Sequence, residues 1–180
     1  MTGPNDPPTP FALPVHHVAY AVPDLEAAIE HAARTLGAGP FLLLEDIPLQ
    51  VTSRGEPARF LHSSAFGRCG ALALELMQIK DTAPDRITGT VPATRPGLHH
   101  FGYVTSSPDE VRAQLEAMGI PAFLEAVLGD IAFTMHDATH LWGHSVEVHA
   151  DTPGIRAFWR DVHESSAGWD GRDPIRRPGA

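Results

Sequence analysis

The chain has 180 residues, 43% of them hydrophobic and 19% charged, a globular composition and not a disordered one. Thirteen Lys and Arg against 22 Asp and Glu give a formal charge of −9, which argues against a nucleic-acid backbone or an anionic membrane as main partner. A single cysteine, Cys69, excludes an internal disulfide and a multi-cysteine zinc site. No apolar run approaches the ~20 residues of a transmembrane helix. The opening MTGPNDPPTP lacks the basic start and apolar core of a secretion signal, so a soluble, cytoplasmic protein is expected.

In chain order, residues 1–13 carry four prolines and read as a disordered N-terminus. A strand follows at HHVAYAV, from His16 to Val22. Pro23-Asp24 then opens a helix with Leu25, Ala28, Ile29, Ala32, Ala33 and Leu36 on one stripe, stopped by Gly37. Strand-like runs come next at 41–44, 59–66 and 71–78, and complete a first module over 14–80. Residues 81–96, rich in Thr, Pro and Gly, read as a linker. The second module, 97–152, repeats the order: HHFGYVT from His99, a helix from Ser107-Pro108-Asp109-Glu110 to Gly119, and strands at 122–127, 131–138 and 145–150. Residues 153–180 read as a short helix over 155–163 and an irregular tail. The pattern is β-α-β-β-β, twice, and the fold class is α+β.

Eleven histidines are the compositional anomaly. Taken singly, each is more often a satisfied core or surface residue than a functional one. The repeat changes that weighting. Alternate side chains of a strand face opposite ways. His16, Val18, Tyr20 and Val22 share the face that packs on the helix, which turns His17 away beside Ala19 and Ala21. In the second copy His99, Phe101 and Tyr103 face the helix, and His100 turns away beside Gly102. The closing strands read Leu74-Glu75-Leu76 and Val146-Glu147-Val148, with both glutamates opposite the apolar set. A glutamate between aliphatics at mid-strand is costly unless a cation receives it. If the two modules close around a cavity, His17, Glu75, His100 and Glu147 converge as ligands for one divalent transition metal: Fe, Co, Ni, Mn or Zn. This facing assignment makes His16 and His99 spectators, whose exchange is expected to cost little metal.

The segments HHVAYAVPDLEAAIEHAARTLGAGPF, LELMQ, GLHHFGYVT and GHSVEV resemble the vicinal oxygen chelate proteins, the glyoxalase/bleomycin-resistance/dioxygenase superfamily. They are similar in particular to the branch of methylmalonyl-CoA epimerase-like proteins, as is the tail WDGRDPIR. The resemblance implies two βαβββ modules forming a half-open, eight-stranded barrel around a metal, with the ligands at His17, Glu75, His100 and Glu147. It also implies an electrophilic mechanism, in which the metal holds two neighbouring oxygens of the substrate and stabilises an enediolate-type anion. Two departures are visible. Epimerases of this type tend to have Gln where Glu75 stands, which is more like glyoxalase I. The Gln-Gly-Val run beside the epimerase base is absent from EDIPLQVTSRGEPARF, which holds only Glu45, Asp46 and Glu56 as carboxylates.

The expected activity is that of an isomerase or lyase acting on a small oxygenated metabolite or thioester. Glu75 or Glu147 doubles as catalytic base, and Met77 and His149 contact substrate from the same strand faces. A non-haem iron dioxygenase needs two His and one carboxylate with positions left open, so a fourth ligand counts against it. A small-molecule binding protein of a natural-product pathway is the third class. His136, His140 and His144 read as lining or surface residues. A homodimer is expected, because modules of this kind usually pair within or between chains.

Overall fold

The computed structural model describes residues 12–88 and 95–178. Most of the stretch read as a disordered N-terminus, and the centre of the stretch read as a linker, lie outside the described residues. The first repeat comprises β1 (His17–Ala21), α1 (Leu25–Leu36), β2 (Phe41–Leu44), β3 (Gln50–Ser53), β4 (Glu56–Cys69) and β5 (Leu72–Ala83). The second comprises β6 (Gly97–Thr105), α2 (Pro108–Ala117), β7 (Ala122–Leu128), β8 (Ile131–His136) and β9 (Ser145–Ala150), with a one-turn α3 (Thr139–Trp142) before β9. The chain ends on α4 (Pro153–Ser165) and β10 (Ile175–Arg176).

Eight strands form a ring in the order β4-β3-β7-β8-β9-β6-β1-β5, closed by the pairing of β5 with β4. The two modules meet at two seams. At one, β1 runs antiparallel to β6 and sets His17 opposite Gly102 and Ala19 opposite His100. At the other, β3 pairs with β7, and the Ser53 hydroxyl donates to the Phe123 carbonyl at 2.7 Å. Strand β3 is missing from the sequence reading for a physical reason. QVTS is four residues long and turns only Val51 and Ser53 inward, too short a run for alternation to stand out.

The helices obey the apolar stripes. Asp24 caps α1 by accepting from the Ala27 N–H at 3.0 Å, and Gly37 ends it in the left-handed region at φ 61°. Leu25, Ile29 and Ala32 pack with Leu74 and Leu76 from β5, each large side chain contributing about 1.5–3 kcal/mol by burial. In the second repeat Val111 and Leu115 of α2 pack with Val146 and Val148 of β9. Leu36 departs from its stripe and is exposed. Ser107 caps α2 without its side chain, and its N–H donates instead to the Thr105 hydroxyl.

Several boundaries move once the strands are paired. β4 begins at Glu56, and β5 continues to Ala83, which lies opposite Arg59, so the linker read from 81 starts as strand. Ile87, just beyond, is fully buried with Met77, Phe60, Phe123 and Met135. This cluster draws on six of the eight ring strands and fills one part of the barrel. The tail after α4 is mostly turn and loop and is anchored near its end: β10 pairs parallel to β2, and the Trp169 indole N–H donates to the Arg172 carbonyl at 2.6 Å. Among the described residues no helix is long and apolar enough to cross a membrane.

Candidate metal centre

Each ligand candidate comes from the inner face of a strand, and the repeat places them with one register. β1 runs parallel to β5 with Ala19 opposite Glu75, and β6 runs parallel to β9 with Gly102 opposite Glu147. In both modules the glutamate therefore lies opposite the residue two positions beyond its histidine. The structure brings His17, Glu75, His100 and Glu147 together, with one ligand atom from each lying within 4.8 Å of every other. All four are at most 5% exposed.

The separations suit a shared ion. His17 Nε2 lies 3.3 Å from His100 Nε2, 3.6 Å from Glu75 Oε2 and 3.2 Å from Glu147 Oε2. His100 Nε2 lies 3.5 Å from Glu75 Oε2 and 3.2 Å from Glu147 Oε2. Metal–ligand bonds of ~2.1 Å hold neighbouring ligand atoms about 3.0–3.4 Å apart, so small adjustments complete a coordination shell. The electrostatics point the same way. Burial acts to raise both carboxyls, yet His100 draws Glu75 below the usual range, and His149 with His100 holds Glu147 well below it. Burial acts to lower both imidazoles and prevails at His17. At His100 the flanking Glu147 and Glu75 outweigh it and lift the value to about 10. Two buried anions thus pull positive charge into the cluster, which is the donor chemistry a divalent cation satisfies.

The supporting groups differ between the modules at the glutamates and match at the histidines. The Ser64 hydroxyl donates to Glu75 Oε1 at 2.6 Å, whereas Glu147 Oε2 accepts from His149 Nε2 at 2.8 Å. His99 Nδ1 lies 2.9 Å from His100 Nδ1, and His16 Nδ1 lies 3.4 Å from His17 Nδ1. With both Nε2 atoms turned to the centre, these contacts select the Nδ1–H form of each ligand ring. His16, beside Trp159 of α4, and the fully buried His99 each touch the neighbouring ligand ring. Burial and the neighbouring His17 push His16 down to about 4, so it stays neutral and can accept.

Gly102 makes the close approach possible. A Cβ built on it would lie 1.9 Å from the His17 ring, because the imidazole crosses directly over the β6 backbone at this seam. Gly102→Ala is therefore expected to expel the His17 ring and weaken metal binding by an order of magnitude or more, with the barrel retained. Metal content after gel filtration, beside a circular dichroism spectrum, measures both.

The cluster lies against a cavity of about 160 Å³ bounded by fifteen residues. Ten are apolar, and the other five are His17, His62, Glu75, Glu147 and His149. Phe158 and Trp159 reach it from α4, with the Trp159 ring 4.9 Å from His17 and 5.6 Å from Phe66. His149 lines the cavity; Met77, two residues beyond Glu75 on the same inner face, lies in the apolar cluster and not along the cavity wall. Glu45, Asp46 and Glu56 are exposed and line none of it, and Asp46 pairs with Lys80 at 2.5 Å. His136 and His144 are buried and bonded to backbone carbonyls, and His140 is exposed. His62 and Ser64 escaped the sequence reading, although they alternate inward on β4 with Phe60 and Phe66. The alternation of a strand over residues 59–66 places both on the face of Phe60 and Phe66.

Residues 16–133 match the family described as the glyoxalase/bleomycin resistance protein/dioxygenase superfamily. The chain belongs to this superfamily. The eight-stranded barrel of two modules is the fold that the resemblance implied, with its ring closed by the β4–β5 pairing. A hypothetical protein from Bacillus halodurans has a similar structure, with 17% identity, a TM-score of 0.54, and coverage of 77% of this chain and 94% of that one. Methylmalonyl-CoA epimerase from Mycobacterium tuberculosis is similar at 18% identity, a TM-score of 0.48, and coverage of 78% and 89%. A Streptomyces coelicolor methylmalonyl-CoA epimerase is similar at 17% identity, a TM-score of 0.40, and coverage of 77% and 98%. At these identities the likeness is one of fold. No curated protein matches the sequence.

Proposed function

We propose that this member of the superfamily is a metal-dependent enzyme, an isomerase or lyase acting on a small oxygenated metabolite or thioester. The observation that carries this reading is the convergence of His17, Glu75, His100 and Glu147 against an apolar cavity. Two neutral imidazoles and two carboxylates suit Fe, Co, Ni, Mn or Zn as the divalent ion. When bound, the ion supplies Lewis acidity towards two neighbouring substrate oxygens, which lowers the cost of removing a carbon-bound proton.

The chain's own residues supply the rest. His17 and His100 present Nε2 and are steered through Nδ1 by His16 and His99. The apolar wall and the Phe158–Trp159 pair of α4 keep bulk water from the carbon acid. One of the two glutamates takes the proton. Ser64 fixes the far oxygen of Glu75, and His149 sits 2.8 Å from Glu147, placed to orient substrate or to pass a proton onward. All four ligand candidates belong to a single chain, so the homodimer expected from the sequence is not required to complete the centre.

Metal analysis combined with two turnover assays tests this reading. About one divalent ion per chain, with deuterium from solvent exchanging into candidate metabolites, is the expected outcome. Iron with oxygen consumption and no exchange assigns the chain to the dioxygenase class instead. An unmetallated protein that binds metabolites without turnover assigns it to the binding proteins.

A further inference from the structure

The cavity wall restricts what the centre can accept, and this inference rests on the reading of the cluster as the substrate-binding end. None of the fifteen lining residues is Lys or Arg, and the charge of the cavity is confined to the cluster itself. The chain's single lysine, Lys80, is engaged by Asp46 away from the cavity. A phosphate or a second carboxylate carried into this space would be desolvated without a counter-ion, which is strongly unfavourable. Rings dominate the wall. Phe66 packs edge-on against Phe158 at 4.8 Å, and Phe133 lies 5.1 Å from His149. A volume of about 160 Å³ is close to that of apolar cavities that take up one benzene-sized molecule.

Two residues of the cavity wall each hold a buried polar atom without a partner: His149 Nδ1 and Trp159 Nε1. His149 is only 7% exposed, and its Nε2 lies 2.8 Å from Glu147, which leaves Nδ1 as the ring nitrogen without a partner. Trp159 has an N–H to give. Either atom can be met by a hydroxyl, which both donates and accepts, whichever nitrogen of His149 carries the proton.

We propose that the site takes a compact, uncharged, hydroxyl-bearing molecule about one ring in size, its carbon skeleton against Phe66, Phe133 and Phe158 and its oxygens towards the cluster. A substrate presenting an anionic group to the wall, as a phosphorylated or polycarboxylate metabolite does, is rejected.

Two binding measurements test this separately from the metal reading. On metal-stripped protein, fluorobenzene followed by fluorine NMR reports the cavity alone. Saturable binding is expected, weakened at least fivefold in both Phe133→Ala and Phe158→Ala. Two variants on different elements guard against one that misfolds. On cobalt-loaded protein, benzohydroxamate and acetohydroxamate share the same chelating oxygens and differ in the ring. The aromatic chelator is expected to bind at least tenfold more tightly, and oxalate, a small dianion, more weakly than either. No saturable fluorobenzene binding, equal affinities for the two hydroxamates, or a preference for oxalate overturns the proposal. Failure to take up cobalt overturns the metal reading, and the fluorobenzene arm still decides the character of the cavity.

Discussion

His17→Ala and His100→Ala are each expected to remove nearly all bound metal, the largest effect of any single substitution in this chain. Each deletes one of four ligand atoms from a cluster with no spare donor at the same spacing among the described residues. The loss exceeds the ten- to hundredfold weakening typical of removing an outer-shell partner. That smaller figure is the expectation for His16→Ala and His99→Ala. The contact of His99 with His100, at 2.9 Å, is closer than that of His16 with His17, at 3.4 Å, so His99→Ala is expected to cost more. Calorimetric titration with cobalt or zinc ranks the four variants. Thermal unfolding gives a second readout, because an ion bound only by the folded state stabilises it by about 2.7 kcal/mol at a hundred times its dissociation constant. The wild-type protein should gain that shift on adding metal, and the His17 and His100 variants should not. If His16→Ala or His99→Ala loses more metal than its neighbour's variant, the assignment of ligand and supporting residue is reversed for that pair.

One of the two variants Glu75→Gln and Glu147→Gln is expected to keep metal yet lose at least a hundredfold in rate. An amide retains an oxygen for coordination but cannot take up a proton as a base, so the loss falls on proton abstraction and not on assembly. Both replacements fit their surroundings. In Glu75→Gln the Ser64 hydroxyl can turn to accept from the new side-chain amide, and in Glu147→Gln the remaining carbonyl oxygen can still accept from His149. Metal content checks the first half of the expectation, and the rate of solvent deuterium exchange into a bound substrate checks the second. If both variants keep metal and near-normal exchange, the base lies elsewhere. His149 is then the next residue to change, since it lines the same cavity, while Glu45, Asp46 and Glu56 are exposed and away from it.

Strand alternation by itself determined that His17, Glu75, His100 and Glu147 share the inner face, because the side-chain period of two admits no partial error. A slip of one residue would have turned every one of them outward. The duplicated order of elements, the Asp24 start and Gly37 stop of α1, and the small residues at 19 and 102 were legible for the same local reason. Alternation says which face a side chain takes but not how far along the barrel it sits. Glu75 and Met77 share a face and are separated by about 7 Å of strand. Only the packing of Phe60, Ile87, Phe123 and Met135 around Met77 decides that this position is core while Glu75 meets the cavity. The pairing of β3 with β7 and the return of α4 that brings Phe158 and Trp159 to the cavity are also tertiary facts. Each joins residues whose meeting depends on how the two modules close, and no local pattern in a chain records the distance between elements that pack only after it has folded.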